Sequence, residues 1–151
     1  MHDNFHLFLE LLQQVSLESL FGDEELKAGC LGNHVHFGFP NENEIENYHL
    51  AFVGVLDDRG SVNNVGCAKS PDLIRKEYYR LMKSENPIPL FDAGNILPGD
   101  TLRDTYVALS NVVTEFLRIN IIPIIIGGSH DLTYAQFGGY QATGEMINVV
   151  V

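Results

Sequence analysis

The chain has 151 residues, 45% hydrophobic and 19% charged, with a mean hydropathy of +0.01; this suits one folded core and excludes a disordered chain. Twenty acidic against nine basic residues give a net charge of −11, a field that repels phosphate backbones and argues against a nucleic-acid partner. Two distant cysteines, Cys30 and Cys67, are no disulfide framework; no leader peptide pattern opens the chain and no apolar run approaches about twenty residues, so reduced thiols, a cytoplasmic location and no membrane partner are expected.

Residues 4–19 read as a helix, with Leu7, Leu11, Leu12 and Val15 at three- and four-residue spacing, Asp3 or Asn4 as its cap and Gly22 past its end. "GNHVHFGF", residues 32–39, alternates loosely, as a short edge strand or loop would. His34 and His36 share a face if extended, a spacing that can bind metal, but a surface or loop role is the simpler reading. "PNENEIENYH" is polar and turn-like.

From residue 49 the pattern becomes regular. "LAFVGVL", residues 50–56, reads as a strand buried on both faces, followed by a long Gly/Asn-rich loop. Ser70 and Pro71 open a helix expected to reach Met82, with Leu73, Ile74, Tyr78, Leu81 and Met82 as its apolar face. Residues 87–94 read as a strand ending on Asp92. Asp100 or Thr101 caps a helix through residue 118, whose inward set is Leu102, Val107, Leu109, Val113 and Leu117. Residues 121–126 form the next strand, with Pro123 near its beginning, a helix runs from Ser129 or Asp131 to Gln141, and residues 146–151 read as a further strand.

This alternation predicts an α/β fold with a mostly parallel sheet, helices on both faces and ligands at the carboxyl ends of the strands. Residues 1–48 are expected to be an N-terminal helix and irregular segment, and 49–151 an α/β unit. A buried parallel strand usually has a covering crossover after it. Because the chain stops on an apolar run, it reads as the front part of a larger domain; the rival is a flavodoxin-like domain ending on an edge strand.

The strand ends collect Asp57, Asp58, Asp92 and the Ser129–His130–Asp131 group. In "PIIIGGSHDLTY", Gly127 and Gly128 permit a sharp turn, and His130 emerges beside the next helix. A neutral imidazole there suits Mn2+, Fe2+ or Zn2+; the other reading has it hydrogen-bonding the turn. Neither a Rossmann nor a P-loop glycine pattern is present. Cys67 has no identifiable base partner and reads as a small buried hydrophobe.

"PIIIGGSHDLTYAQFGGY" resembles the first metal motif of the ureohydrolase family of arginases, agmatinases and formimidoylglutamases, whose usual form is Gly-Gly-Asp-His-Ser after a strand. "FVGVLDDRGSVNNVGCAKSPDLIRKEYYRL" resembles that family's first strand, its active-site loop and its Gly-Pro-x-x-Ile-Arg helix start, and "LFDAGNILPGD" resembles the strand and turn that follow. The resemblance runs from Leu50 to the end of the chain. It implies an arginase-like three-layer αβα fold, here truncated. It also implies hydrolysis of the C–N bond of a guanidino or formimino group with two Mn2+ ions activating water, and a homo-oligomer.

Carried over by position, His130 matches a terminal metal ligand, and Asn63 and Asn64 lie in the loop that flanks the substrate pocket, where they either bind substrate or act as turn formers. Arg75 matches the arginine of the helix start and reads as structural, reaching a carboxylate; Asp92 reads as architecture, and Asp57 and Asp58 as loop or capping residues. No catalytic residue is assigned. Ser129 stands where the family has aspartate, and Asp131 where it has serine, so Asp131 either compensates for the lost carboxylate or caps the helix. The family's Asp-x-His-x-Asp and Ser-x-Asp-x-Asp motifs are not in these 151 residues. The chain alone is therefore expected to be inactive. The expected substrate is a small amidine or guanidino compound, formimidoylglutamate ahead of arginine or agmatine; the alternative is a noncatalytic binding or assembly protein of the same fold.

Overall fold

The computed structural model describes residues 8–144 and 146–149. Its strands are β1 (Leu12–Gln13), β2 (His36–Phe37), β3 (Leu50–Val55), β4 (Leu90–Ile96) and β5 (Ile122–Ile126). Its helices are α1 (Leu17–Phe21), α2 (Ser70–Tyr79), α3 (Leu102–Arg118) and α4 (Leu132–Gln141). The sheet order is β1–β4–β3–β5, with β2 also paired to β4. β1 runs antiparallel to β4; the other pairings are parallel. The sheet is thus mixed and mostly parallel, as a β-α-β alternation requires.

Helices cover both faces. On one, Ala51, Val53, Val55, Phe91 and Ala93 meet Leu109, Val112, Val113 and Phe116 of α3 and Leu132 and Ala135 of α4. On the other, Phe52 packs with Tyr79 of α2 and with Val15 and Leu20. Phe39 reaches from the irregular segment to Phe91, edge-on at a centroid distance of 5.6 Å. Burial of each such aromatic side chain contributes roughly 1.5–3 kcal/mol.

A bulge sets up the inner polar geometry. The β3–β4 register passes from Phe52↔Asp92 to Val53↔Gly94, leaving Ala93 as an extra residue. The alternation of β4 therefore shifts by one. Phe91, Ala93 and Ile96 face the α3 side, while Asp92 and Asn95, three apart, both reach Arg75 of α2.

Several expectations are corrected. The expected helix over 4–19 is broken: positions 4–7 lie outside the described residues, helix persists at 8–9, and β1 follows at Leu12–Gln13. Ser16 then caps a new helix by accepting from Ser19 N at 3.1 Å; pairing with β4 and a fresh cap override the leucine spacing. Helix α2 ends at Tyr79, not Met82, and Ser70 lies inside it, its Oγ donating to Cys67 O at 2.7 Å. Its buried face is Pro71, Arg75 and Tyr79, while Leu73, Ile74, Leu81 and Met82 are exposed. Asp92 is in the middle of β4 rather than at its end. In α3, Val107 is exposed and Thr105, Val112, Thr114 and Phe116 are buried instead. Residues 146–149 form no strand, and 150–151 lie outside the described residues.

Candidate functional site

The carboxyl ends of β3 and β5 lie side by side because these strands are parallel neighbours. Asp57, just past β3, is buried. Its Oδ1 accepts from Arg59 Nε and Arg59 N, both at 3.0 Å, and its Oδ2 accepts from Arg59 Nη2 and Thr105 Oγ1, both at 2.7 Å. Arg59 also donates to the carbonyls of Gly99 at 2.9 Å and Asp100 at 3.1 Å, tying the loop to the turn before α3. The hydrogen bonds from Arg59, helped by Thr105, outweigh burial and hold the Asp57 carboxyl at about 2, below its ordinary 3.8. Asp57 is therefore a fixed anion with its acceptors used.

The loop that follows closes on itself. Asp58 Oδ2 accepts from Gly66 N at 2.6 Å, Asp58 O from Ser61 N at 2.9 Å, and Ser61 Oγ from Asn64 N at 2.9 Å. Gly66 is left-handed at φ +99, a conformation glycine adopts at no steric cost. Asn63 and Asn64 lie exposed on this loop.

The turn after β5 packs on the same loop. Gly127 and Gly128 have φ of +78 and +75. A Cβ on Gly127 would meet Ser70 Oγ at 2.6 Å, and one on Gly128 would meet Asp57 O at 2.9 Å. Both glycines are thus required for backbone conformation and for close approach. Gly128 N donates to Cys67 O at 3.3 Å and Ser129 N to Asp57 O at 3.1 Å, fastening the turn to both ends of the loop.

From this turn His130 is exposed, while Ser129 is buried. Asp131 stands at the start of α4 but makes no side-chain cap there. Its Oδ2 accepts from Tyr106 OH of α3. Ser129 Oγ and Asp131 Oδ1 are buried with no hydrogen-bond partner among the described residues. Burial pushes the Asp131 carboxyl up, but the nearby hydroxyls of Ser129 and Tyr106 outweigh it and leave it below its ordinary range. Tyr106, hydrogen-bonded to that carboxylate and partly desolvated, is pushed up to about 12 and stays a neutral donor.

The structure thus brings the loop of Asn63 and Asn64 and the turn of His130 to one end of the sheet. It does not place Arg75 or Asp92 there; they pair with each other inside the fold. His34 ends a short 3-10 turn and only His36 lies in β2, so the two do not share an extended strand. Cys30 and Cys67 are free thiols; Cys67 is half-buried, and Cys30 is buried with its Sγ donating to Arg80 O at 3.3 Å. Nothing in the sequence pattern singles out Arg59, Thr105 or Tyr106. Thr105 and Tyr106 follow a legible cap, but no local pattern says which carboxylate they meet across the sheet.

No group of three or more His, Cys, Asp or Glu side chains able to hold a metal is gathered among the described residues. Asp57 is saturated, Asp131 is engaged by Tyr106, and His130 stands as a single donor. The residues present do not fit a complete metal centre.

Residues 48–151 match the sequence profile of the Arginase family. This chain belongs to the arginase family. It is 34% identical over 104 residues to a formimidoylglutamase of Clostridium tetani, covering 66% of this chain and 31% of that protein. It is 31% identical over 127 residues to a formimidoylglutamase of Streptococcus pyogenes, covering 79% of this chain and 39% of that protein. The crystal structure of a Trypanosoma cruzi formiminoglutamase variant with Mn2+ is similar at a TM-score of 0.55 and 25% identity, over 82% of this chain and 38% of that one. The chain thus spans well under half the length of these family members. The mostly parallel sheet with helices on both faces is the arginase-like fold, and the loop after β3 and the Gly-Gly turn after β5 fall within the matched region.

Proposed function

We propose that the full-length protein is a metal-dependent hydrolase of linear amidines, acting on a guanidino or formimino C–N bond, with formimidoylglutamate as the preferred substrate. The observation that carries this reading is the strand–Gly-Gly-x-His turn of an arginase-family chain, packed against an Asn-rich loop at the carboxyl end of the sheet. The similarity to two formimidoylglutamases supports the choice of substrate.

In this reading Mn2+ supplies activation of water, and this chain contributes His130 as one ligand. Asn63 and Asn64 bind the substrate, their exposed amides offering both donors and acceptors to an amidine. The loop and turn hold these groups in register through Ser129 N and Gly128 N. Residues 49–151 form the arginase-like unit, preceded by the segment 1–48. The protein works in the cytoplasm as a homo-oligomer. Among the described residues no helix is long and apolar enough to cross a membrane.

The chain of 151 residues is inactive by itself, because the donors for a metal centre are not gathered among its described residues. The test compares two purified proteins, this chain and the full-length gene product, each freed of metal and titrated with Mn2+. Calorimetry then reads stoichiometry, and urea release from a guanidino substrate or formamide release from a formimino one reads activity. The expected result is Mn2+-supported hydrolysis by the full-length protein, abolished by His130→Ala, and none by the shorter chain. A full-length protein that binds no Mn2+ and releases nothing would replace this reading with a noncatalytic binding protein of the same fold.

A further inference from the structure

We propose that Tyr106 and Asp131 form a positioning clamp that fixes the loop over 57–67 against the turn carrying His130. The inference rests on the reading of this end of the sheet as the substrate site. Among the described residues, backbone bonds fasten the loop to the turn where it leaves β3 and where it enters α2, at Asp57 O and Cys67 O. Between those points lie Asn63 and Asn64, held by bonds internal to the loop through Asp58 and Ser61. What this span meets on the turn is Asp131: Gly60 lies so close that a Cβ there would run into the carboxylate.

Asp131 is in turn fixed from a third element. An aspartate at a helix start ordinarily accepts a hydrogen bond from the helix's own first amides. Here the side chain forgoes that bond and takes one from Tyr106 OH of α3. Three segments therefore converge on one carboxylate: Gly60 of the loop, Asp131 of the turn and Tyr106 of the helix. Neither Tyr106 nor Asp131 needs to touch substrate for this. They act by setting where Asn63 and Asn64 stand relative to His130.

The test uses the full-length protein with Tyr106→Phe and Asp131→Asn, both close in shape to the original residues. Hydrogen–deuterium exchange read by mass spectrometry should show residues 58–66 exchanging about tenfold faster in Tyr106→Phe, the effect of leaving a buried acceptor without its donor. Exchange in β3 and β4 should stay as in wild type. Asp131→Asn keeps an acceptor for the tyrosine and should retain most of the protection, to within about threefold of wild type. In the amidine hydrolysis assay, Tyr106→Phe should raise KM by about tenfold and lower kcat by less. Unchanged loop exchange in Tyr106→Phe would overturn the proposal, as would acceleration spread equally through β3 and β4. A wild-type protein that hydrolyses no amidine removes the functional reading, while the exchange data still decide the clamp.

Discussion

Asp92 and Asp131 each take a hydrogen bond from a tyrosine hydroxyl, Tyr79 in one case and Tyr106 in the other. Their surroundings differ. Asp92 also accepts from Arg75 Nε at 2.7 Å, Arg75 Nη2 at 2.8 Å and Gly94 N at 3.0 Å, and both Asp92 and Arg75 are fully buried. Arg75 also donates to Asn95 Oδ1 at 2.5 Å and to Gly94 O at 3.0 Å. Burial and the adjacent carboxylate push the Tyr79 hydroxyl far above the usual tyrosine range, so it remains a donor. Asp131, by contrast, has a buried Oδ1 with no hydrogen-bond partner among the described residues, the Ser129 hydroxyl lying near enough to favour its charge but outside hydrogen-bond geometry. Buried polar groups are normally satisfied. The filled cluster holds α2 to the sheet; the other lies at the carboxyl end of the sheet, beside the loop over 57–67.

The largest effect that tests this contrast comes from the filled cluster. Asp92→Ala leaves the Arg75 guanidinium buried without its main counter-charge, which costs about 3–5 kcal/mol. Urea denaturation followed by circular dichroism measures it. A loss below about 1 kcal/mol would mean that Arg75 re-pairs, most simply with Asp72, whose carboxylate lies 3.6 Å away, and that the cluster is less specific than its geometry implies.

That cluster also shows what could be read from the sequence. The strand over 50–56, the strand over 121–126 and the helix through 118 follow from apolar runs and a Thr cap, and all three stand in the structure with small changes of boundary. Helix α2 misleads because its buried face carries Arg75 and Tyr79. An arginine counts as polar in any periodicity, and only a carboxylate from another strand makes its burial tolerable. Asp92 is misplaced for the same reason: a charged residue marks a strand end unless its partner is known. The N-terminal leucines fail differently, since Leu12 joins a sheet edge through contacts distant in sequence. At the candidate site the glycines and the histidine are legible. The donors that α3 supplies to Asp57 and Asp131, Thr105 and Tyr106, could not be seen locally.

Asp57 sharpens the contrast because it sits at the same end as Asp131 yet is filled like Asp92. Its carboxyl is depressed to about 2 from 3.8, first by the hydrogen bonds of Arg59. A group depressed on folding stabilises the fold above its unfolded value and loses that contribution as pH falls towards the folded one. The contribution is therefore complete above about pH 4–5 and fades as pH falls towards 2. Because Arg59 is 39% exposed, solvent screening leaves it at no more than about 1 kcal/mol. Stability measured by urea denaturation at pH 7 and at the lowest pH where the fold persists should drop less in Asp57→Asn than in wild type. Equal slopes would mean that Asp57 is no better held than an ordinary surface carboxylate, and the distinction from Asp131 would fail.

The smallest effect tests whether α3 links the two filled and unfilled carboxylates at this end. Thr101 Oγ1 accepts from Asp104 N at 3.3 Å, and Asp104 Oδ2 accepts from Thr101 N at 2.8 Å, a reciprocal capping box. Thr105 and Tyr106 follow within the next turn and reach Asp57 and Asp131 respectively. Thr101→Ala should cost about 1 kcal/mol by thermal or urea unfolding. Fraying of this first turn would loosen both carboxylates together. Amide exchange in residues 58–66 should therefore rise in Thr101→Ala as it does in Tyr106→Phe, though by a smaller factor, while the Arg75–Asp92 cluster, which takes no donor from α3, keeps its protection. If exchange rose around Arg75 and Asp92 by the same factor, the helix start would be supporting the whole fold, and the two carboxylate environments would not be separable through it.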